Sequence, residues 1–221
     1  KALTIVGPNI QIQGVAGALT GPLGIRRIIV RTDTQRITLE HIRLEWRSEQ
    51  LAHGRLDIDL LAAQKMTIET LRKSPDPTLL PDSLRLPASI HIRQLKVAEI
   101  HLRDGFQTRI FRNAQLKISD TGLAYQLRLL SLATPWAGVS GALQINKDAP
   151  FALSGAFQAQ RDLPVPVVAR LKLGGKLEML EVNLVARAQG MEADASGVLT
   201  PFSEVPIERL LLAGQGIDPS R

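Results

Sequence analysis

Apolar residues in this chain recur in pairs two apart, and successive pairs are spaced by three. In Ile90 to Leu102, IHIRQLKVAEIHL, the pairs are Ile90 and Ile92, Leu95 and Val97, then Ile100 and Leu102. A spacing of two puts both side chains on one face of a strand. A spacing of three flips the face unless a bulge absorbs the extra residue. The same rhythm runs through Gln35 to Arg47, where Ile37 and Leu39 are followed, after a slip at His41, by Ile42, Leu44 and Trp46. Slips at His41, Gln94 and Glu99 are expected to bend their strands. Between the apolar positions stand His91, Arg93, Lys96 and His101, so one surface is aliphatic and the other polar and basic.

The rest of the chain follows suit. Leu3–Ile5, Ile10–Ile12 and Ile25–Arg31 read as strands, with GVAGALTGPLG (14–24) as a turn. Arg55–Leu61 alternates, with Leu56, Ile58 and Leu60 on one face and Asp57 and Asp59 on the other. Lys65–Leu71 reads as a separate strand. Ser48–Gly54 predicts one helical turn, capped by Ser48 and closed by Gly54. After Asp104-Gly105, a hairpin signal, Phe106–Ser119 reads as a strand pair. Further strands are predicted over 123–132, which includes Leu127 and Leu129, and over 139–145, 151–159, 167–173, 177–186, 192–199 and 207–212. Four prolines between Arg72 and Ser89 mark a loop or linker. The expected organisation is a first β segment (1–71), that linker (72–89) and a second β segment (90–221) continuing the same sheet. Roughly fifteen strands at this spacing are the signature of an all-β chain. The pattern fits a filled sandwich or a single curled sheet whose apolar face stays open, and of the two the sandwich is the expectation from pattern alone.

Composition narrows the chemistry. Hydrophobic residues are 44% of the 221, but aromatics only 4%, so the interior is aliphatic. The absence of cysteine removes disulfides and thiolate chemistry. A net charge of +6 favours an anionic partner, nucleic acid or a membrane surface. No apolar run approaches 18 residues, so nothing in the sequence reads as a spanning helix. The chain opens at Lys1 in strand-like sequence and reads as a segment of a longer protein, so a missing targeting segment carries no weight.

Catalytic patterns are lacking. The glycines of 14–24 do not match a phosphate-binding loop. His91 and His101 lie ten apart with no carboxylate at ligand spacing, so no metal is expected. Asp57 and Asp59 sit on the solvent side. Gly138-Val-Ser140-Gly ends in Ala142 where a nucleophile elbow needs glycine. One tyrosine and two tryptophans supply no stacking platform for nucleic acid. The chain is read as a non-enzyme without a cofactor.

Several stretches resemble a known family. GVAGALTGPLGIRRIIV, LEHIRLEWRSEQLAHGRLDIDLL, LPDSLRLPASIHIRQLKVAEIHL, SLATPWAGVSGALQI (131–145) and LTPFSEVPIERLLLAGQGIDPSR (199–221) are similar, in that order, to the amino-terminal half of the TamB family. These are inner-membrane subunits of the translocation and assembly module, within the AsmA-like group of bridge-like proteins of Gram-negative bacteria. The resemblance implies an elongated, curled antiparallel or mixed β-sheet, a β-taco-like trough with an apolar inner face. It implies a periplasmic location, tethered to the inner membrane by an anchor outside this segment. The partners it implies are phospholipids and, for the full-length protein, the Omp85-type outer-membrane protein TamA, but no nucleic acid. It further implies phospholipid transport between the membranes and support of outer-membrane protein (autotransporter) assembly.

The lipid-groove candidates are then the apolar pairs: Ile37, Leu39, Ile42, Leu44, Trp46, Leu56, Ile58, Leu60, Ile90, Ile92, Leu95, Val97, Ile100, Leu102, Leu127 and Leu129. Their alternative is ordinary core packing. The alternatives to a lipid conduit are a scaffold that lends a strand edge to outer-membrane clients by β-augmentation and an ordinary β-sandwich binding module.

Overall fold

A computed structural model describes residues 3–7, 9–71, 82–105, 107–162, 165–203 and 206–216. The described chain is all-β. Its strands are β1 (Leu3–Val6), β2 (Ile10–Gly17), β3 (Leu23–Arg31), β4 (Gln35–Arg47), β5 (Arg55–Thr70), β6 (Ser89–Asp104) and β7 (Gln107–Asp120), followed by β8 (Ala124–Ala133), β9 (Gly138–Asn146), β10 (Ala152–Arg161), β11 (Val167–Lys176), β12 (Met179–Ala188), β13 (Met191–Leu199) and β14 (Ile207–Gln215). All belong to one sheet whose strands follow chain order. The order is open, with a single neighbour for β1 and for β14. Adjacent strands pair antiparallel wherever a register is defined, except that β5 and β6 run parallel.

Several strands are longer than their sequence patterns suggest. Arg55–Leu61 and Lys65–Leu71 are one strand of 16 residues, and the expected pair over 106–119 is one strand of 14. Each had read as two because a slip breaks the period-two alternation in mid-strand. The helical turn is present as a 3-10 helix, Ser48–His53, closed by Gly54 at φ 71°. Ser48 is not its cap: Arg47 holds that position, with no side-chain hydrogen bond. Phe106, Pro164 and residues 72–81 of the proline-rich segment lie outside the described residues.

The chain divides into two compact units. Unit 1 comprises Lys1–Pro75, Leu86–Asp120 and Leu129–Pro135; unit 2 comprises Asp76–Arg85, Thr121–Arg128 and Trp136–Arg221. The proline-rich segment does not separate them, because β5 and β6 on either side of it pair with each other over nearly their whole length.

In unit 1 the ladders align aliphatic residues into rows running across the strands. The central row is Val15, Ile25, Ile42, Ala63, Val97 and Ala114, one residue from each of β2 to β7. Its last five members form the buried core, exposed by 9% or less. On one side lies Ile12, Ile28, Leu39, Met66, Ile100 and Phe111; on the other lies Leu23, Leu44, Leu61, Leu95 and Leu116. Residues of both flanking rows pack against the central one.

The three-residue spacing has a structural origin. Beside the central row, Gly14, Arg26, His41, Gln64, Ala98 and Asn113 each drop out of the ladder, yet the register on either side of them is unchanged in every pair. The extra residues are therefore stacked opposite one another across six strands. Gly14, His41 and Asn113 hold left-handed backbone at φ 69°, 51° and 54°. Because both partners skip together in every pair, none of these is a two-against-one bulge; the row is a change of phase shared by six strands. A second slip has another form. Asp59-Leu60 in β5 and Arg93-Gln94 in β6 add a residue that β4 and β7 lack, and the register shifts on both flanks.

In unit 2, β9 to β14 alternate regularly. One face carries rows such as Leu143, Gly155, Leu173, Val182, Gly197 and Leu210, and Gly141, Phe157, Leu171, Leu184, Ala195 and Leu212. Phe157 lies over Gly141, where an added Cβ would stand 2.5 Å from its ring. No residue of β11 to β14 is buried.

Candidate functional site: an aliphatic face with a polar back

The apolar face of unit 1 is built by the slips. Without an extra residue at His41, Gln64, Ala98 and Asn113, half of each strand would present its aliphatic side chains to the opposite face. With it, Ile37, Leu39, Ile42, Leu44 and Trp46 of β4 share one surface, as do Ile90, Ile92, Leu95, Val97, Ile100 and Leu102 of β6. Beyond the three central rows lie Val30, Ile37, Ile68 and Leu102 toward one set of strand ends. Toward the other lie Trp46, Ile58, Ile92 and Ile118, then Leu56 and Ile90. A row crossing six strands covers about 24 Å at ~4.8 Å per strand step. That exceeds the ~15 Å depth of one membrane leaflet, half of a ~30 Å hydrocarbon core.

One candidate is misplaced by strict alternation. Leu60 stands opposite Glu45, on the polar face, while Leu61 stands opposite Leu44 on the aliphatic one. The extra residue in β5 causes the exchange. Leu61, Val30, Ile68 and Met66 join the aliphatic surface and are not among the groove candidates, although Met66 and Ile68 read as the apolar positions of their strand. Ile42, Ile58, Ile92 and Val97 are buried, whereas Ile37, Leu39, Leu44, Leu95, Ile100 and Leu102 are half-exposed. Leu127 and Leu129 in β8 are half-buried, between exposed Gln126, Arg128 and Leu130.

The opposite face of unit 1 is ionic. Arg27, Glu40, Lys65, Glu99 and Arg112 follow one another across β3 to β7 with strictly alternating charge. Arg27 bonds Glu40 at 2.7 Å, and Arg112 approaches Glu99 at 3.8 Å. A hydrogen bond from His101, 2.9 Å away, and the positive charges around it hold the Glu99 carboxyl below the usual range. Asp57 bonds Arg55 at 3.1 Å, and Asp59 pairs with both Arg47 and Arg93 at 3.2 Å. The two aspartates are thus held by cations on the polar face. A shallow groove of about 330 Å³ follows the stacked extra residues, between His41, Gln64, Ala98 and Asn113. A cleft of about 270 Å³ lies between Arg55, His91, Arg93 and Lys117, where β6 gains its residue over β7.

In unit 2 the tail of the proline-rich segment lies on the aliphatic face. Tyr125 alternates with Gln126, whose amide bonds Gln144 on the polar side. The Tyr125 hydroxyl donates to the Leu84 carbonyl at 3.0 Å, and Leu84 N–H donates to the Lys147 carbonyl. Arg85 grips Asp148 with two nitrogens, one at 2.8 Å, which holds that carboxyl below its usual range. Lys147 lies 4.7 Å over the Tyr125 ring and is buried with Ala124, Phe151 and Leu153.

No protein-family model, curated protein or solved structure matches this chain. The function therefore rests on the residues. No trio of His, Asp and Glu side chains gathers into a metal site among the described residues. What their ladders build across β2 to β7 is the aliphatic face.

Proposed function

We propose that this chain is a segment of a TamB-like, AsmA-like periplasmic bridge that carries phospholipid acyl chains along its aliphatic face. The observation that supports the reading is the stacked row of extra residues. It keeps the aliphatic side chains of β2 to β7 on one surface through a change of phase that all six strands share. A filled sandwich packs the inner faces of two sheets against each other, whereas the described strands here all belong to one sheet in open order. Each CH₂ kept out of water is worth about 0.8 kcal/mol. A chain lying on rows of Leu, Ile and Val stays dry at every position along them. These rows lack a specific anchor, so no single position binds tightly and sliding is favoured. In the full-length protein the route runs between inner and outer membranes, with TamA as outer-membrane partner and outer-membrane protein assembly as the dependent process.

A second reading, a scaffold that lends a strand edge to clients, draws on β14. All nine of its residues are exposed, including Ile207, Leu210, Leu211 and Leu212. The two are separated by placing photo-reactive side chains at Leu95, Ile100 and Leu102, and at Lys96 and Arg103 on the opposite face. Capture of phospholipid from the first set but not the second is expected of a conduit. Equal capture from both sets, or none, sinks it. Capture of an extended polypeptide at β14 with no lipid at Leu95 favours the scaffold.

A further inference from the structure

The polar face of unit 1 does not alternate its charge in every row, and in one row two cations are direct ladder partners. In the row next to the strand ends, Arg31, Arg36, Glu69, Arg103 and Thr108 stand side by side across β3 to β7. Arg31 and Arg36 are direct partners, an arrangement that like charges make unfavourable. A few residues away, the same strands carry Arg27, Glu40, Lys65, Glu99 and Arg112 in strict alternation, so this sheet can pair its charges. Glu69 is the only carboxylate in the end row, and it is shared by Arg36 at 3.3 Å and Arg103 at 3.0 Å. The Arg36 Nε is buried and has no hydrogen-bond partner among the described residues. Arg31 is exposed and pairs with no carboxylate among them. The other carboxylate near the pair, Asp33 in the β3–β4 turn, already has a partner.

The position of this unbalanced pair matters as much as its charge. Arg31 and Arg36 are the immediate chain neighbours of Val30 and Ile37, which belong to the outermost aliphatic row with Ile68 and Leu102. Arginine stems run along apolar surface and carry the guanidinium to its edge. A planar guanidinium presents paired donors that fit phosphate oxygens. We propose that Arg31 and Arg36 bind the phosphate of a phospholipid whose headgroup turns around the strand ends from the opposite face, where its acyl chain lies on the Val30, Ile37, Ile68 and Leu102 row. The proposal rests on the conduit reading above. The pair selects phosphate-bearing lipids at the rim, while the aliphatic rows stay indifferent to the headgroup.

The test uses the 221-residue chain and two probes with the same photo-reactive acyl chain, phosphatidylglycerol and diacylglycerol. Wild-type protein is expected to capture phosphatidylglycerol on the order of tenfold more than diacylglycerol, as one charge-assisted contact allows. The R31Q/R36Q variant is expected to bring phosphatidylglycerol down to the diacylglycerol level, with diacylglycerol capture unchanged. R31K/R36K keeps the charge without the fork and should fall between. Both variants alter side chains at the strand ends outside the buried row, and a circular dichroism melt checks that they remain folded. Equal capture of the two lipids by wild type, or a phosphatidylglycerol preference that survives R31Q/R36Q, overturns the proposal and leaves the conduit intact. Capture of neither lipid sinks the conduit and the lipid clamp together. Inorganic phosphate, titrated against the arginine Nε–H signals of wild type and R31Q/R36Q, then shows whether the pair takes a free anion instead, which also overturns the lipid assignment.

Discussion

His41 and Asn113 hold φ of 51° and 54°, where a side chain crowds its own backbone. Gly14 holds the same conformation in β2 at 69°, and a Cβ there would meet the Arg26 Cβ at 2.8 Å. The three sites make opposite demands on substitution. His41→Gly relieves about 1–2 kcal/mol of left-handed strain against about 0.5–1 kcal/mol of added chain entropy, a net gain of about 0.5–1 kcal/mol. Gly14→Ala introduces that strain and a steric conflict, and should cost about 1–3 kcal/mol. Urea midpoints of the two variants check the pair; a His41→Gly that destabilises, or a neutral Gly14→Ala, counts against the stacked conformation. At this scale the sequence was legible only in part. The slip at His41 could be seen because Leu39 and Ile42 are three apart. Leu60 completes the alternating series of Leu56 and Ile58, whereas Leu61 stands three from Ile58 and reaches the aliphatic face only through the residue that β5 gains over β4. Only the partners across the ladder, Glu45 and Leu44, decide between them.

At the scale of the strand, the same slips hid the length of the elements. Sequence periodicity is local, so a strand that changes phase midway reads as two short strands. β5 and β7 therefore looked like pairs, although pairing continues through the extra residue. What no single segment reveals is that the extra residues of six strands fall opposite one another; that is a property of register, which depends on partners distant in sequence. Stacking makes a sharp demand. Removing Gln64 alone moves Met66 and Ile68 to the polar face while β4 and β6 keep theirs. Exposing two such side chains costs about 3–6 kcal/mol, comparable with the whole stability of a domain. The single deletion is expected to leave unit 1 unfolded. Deleting Gly14, Arg26, His41, Gln64, Ala98 and Asn113 together restores strict alternation in all six strands and should recover β structure. Circular dichroism and solubility of the single and sixfold deletions decide the matter. A single deletion that folds as well as wild type would show that the row is not cooperative.

For the whole molecule, charge and burial are distributed unevenly in a way that composition cannot show. Of 27 basic and 21 acidic residues, unit 1 has 17 and 10, and unit 2 has 10 and 11. The net charge of +6 therefore belongs to unit 1, the part with the ionic back and the unbalanced arginines. Burial follows the same division. The core row Ile25, Ile42, Ala63, Val97 and Ala114 spans β3 to β7, whereas β11 to β14 bury none of their residues. The all-β class was readable from period-two alternation, but alternation looks alike in both units, so it could not say where the tight packing lies. Local stability tracks buried apolar contact, and strands with little of it open at lower free energy. Amides of β4 to β6 around Ile42, Ala63 and Val97 should exchange most slowly. Those of β11 to β13 should exchange at least tenfold faster, although their ladders are equally regular, since a difference of ~1.4 kcal/mol in opening free energy is a factor of ten. Hydrogen-exchange mass spectrometry resolves the two sets. Uniform protection from β4 to β13 would mean that the aliphatic face of unit 2 is covered as fully as the core row of unit 1, and would remove the open surface on which a lipid could travel there.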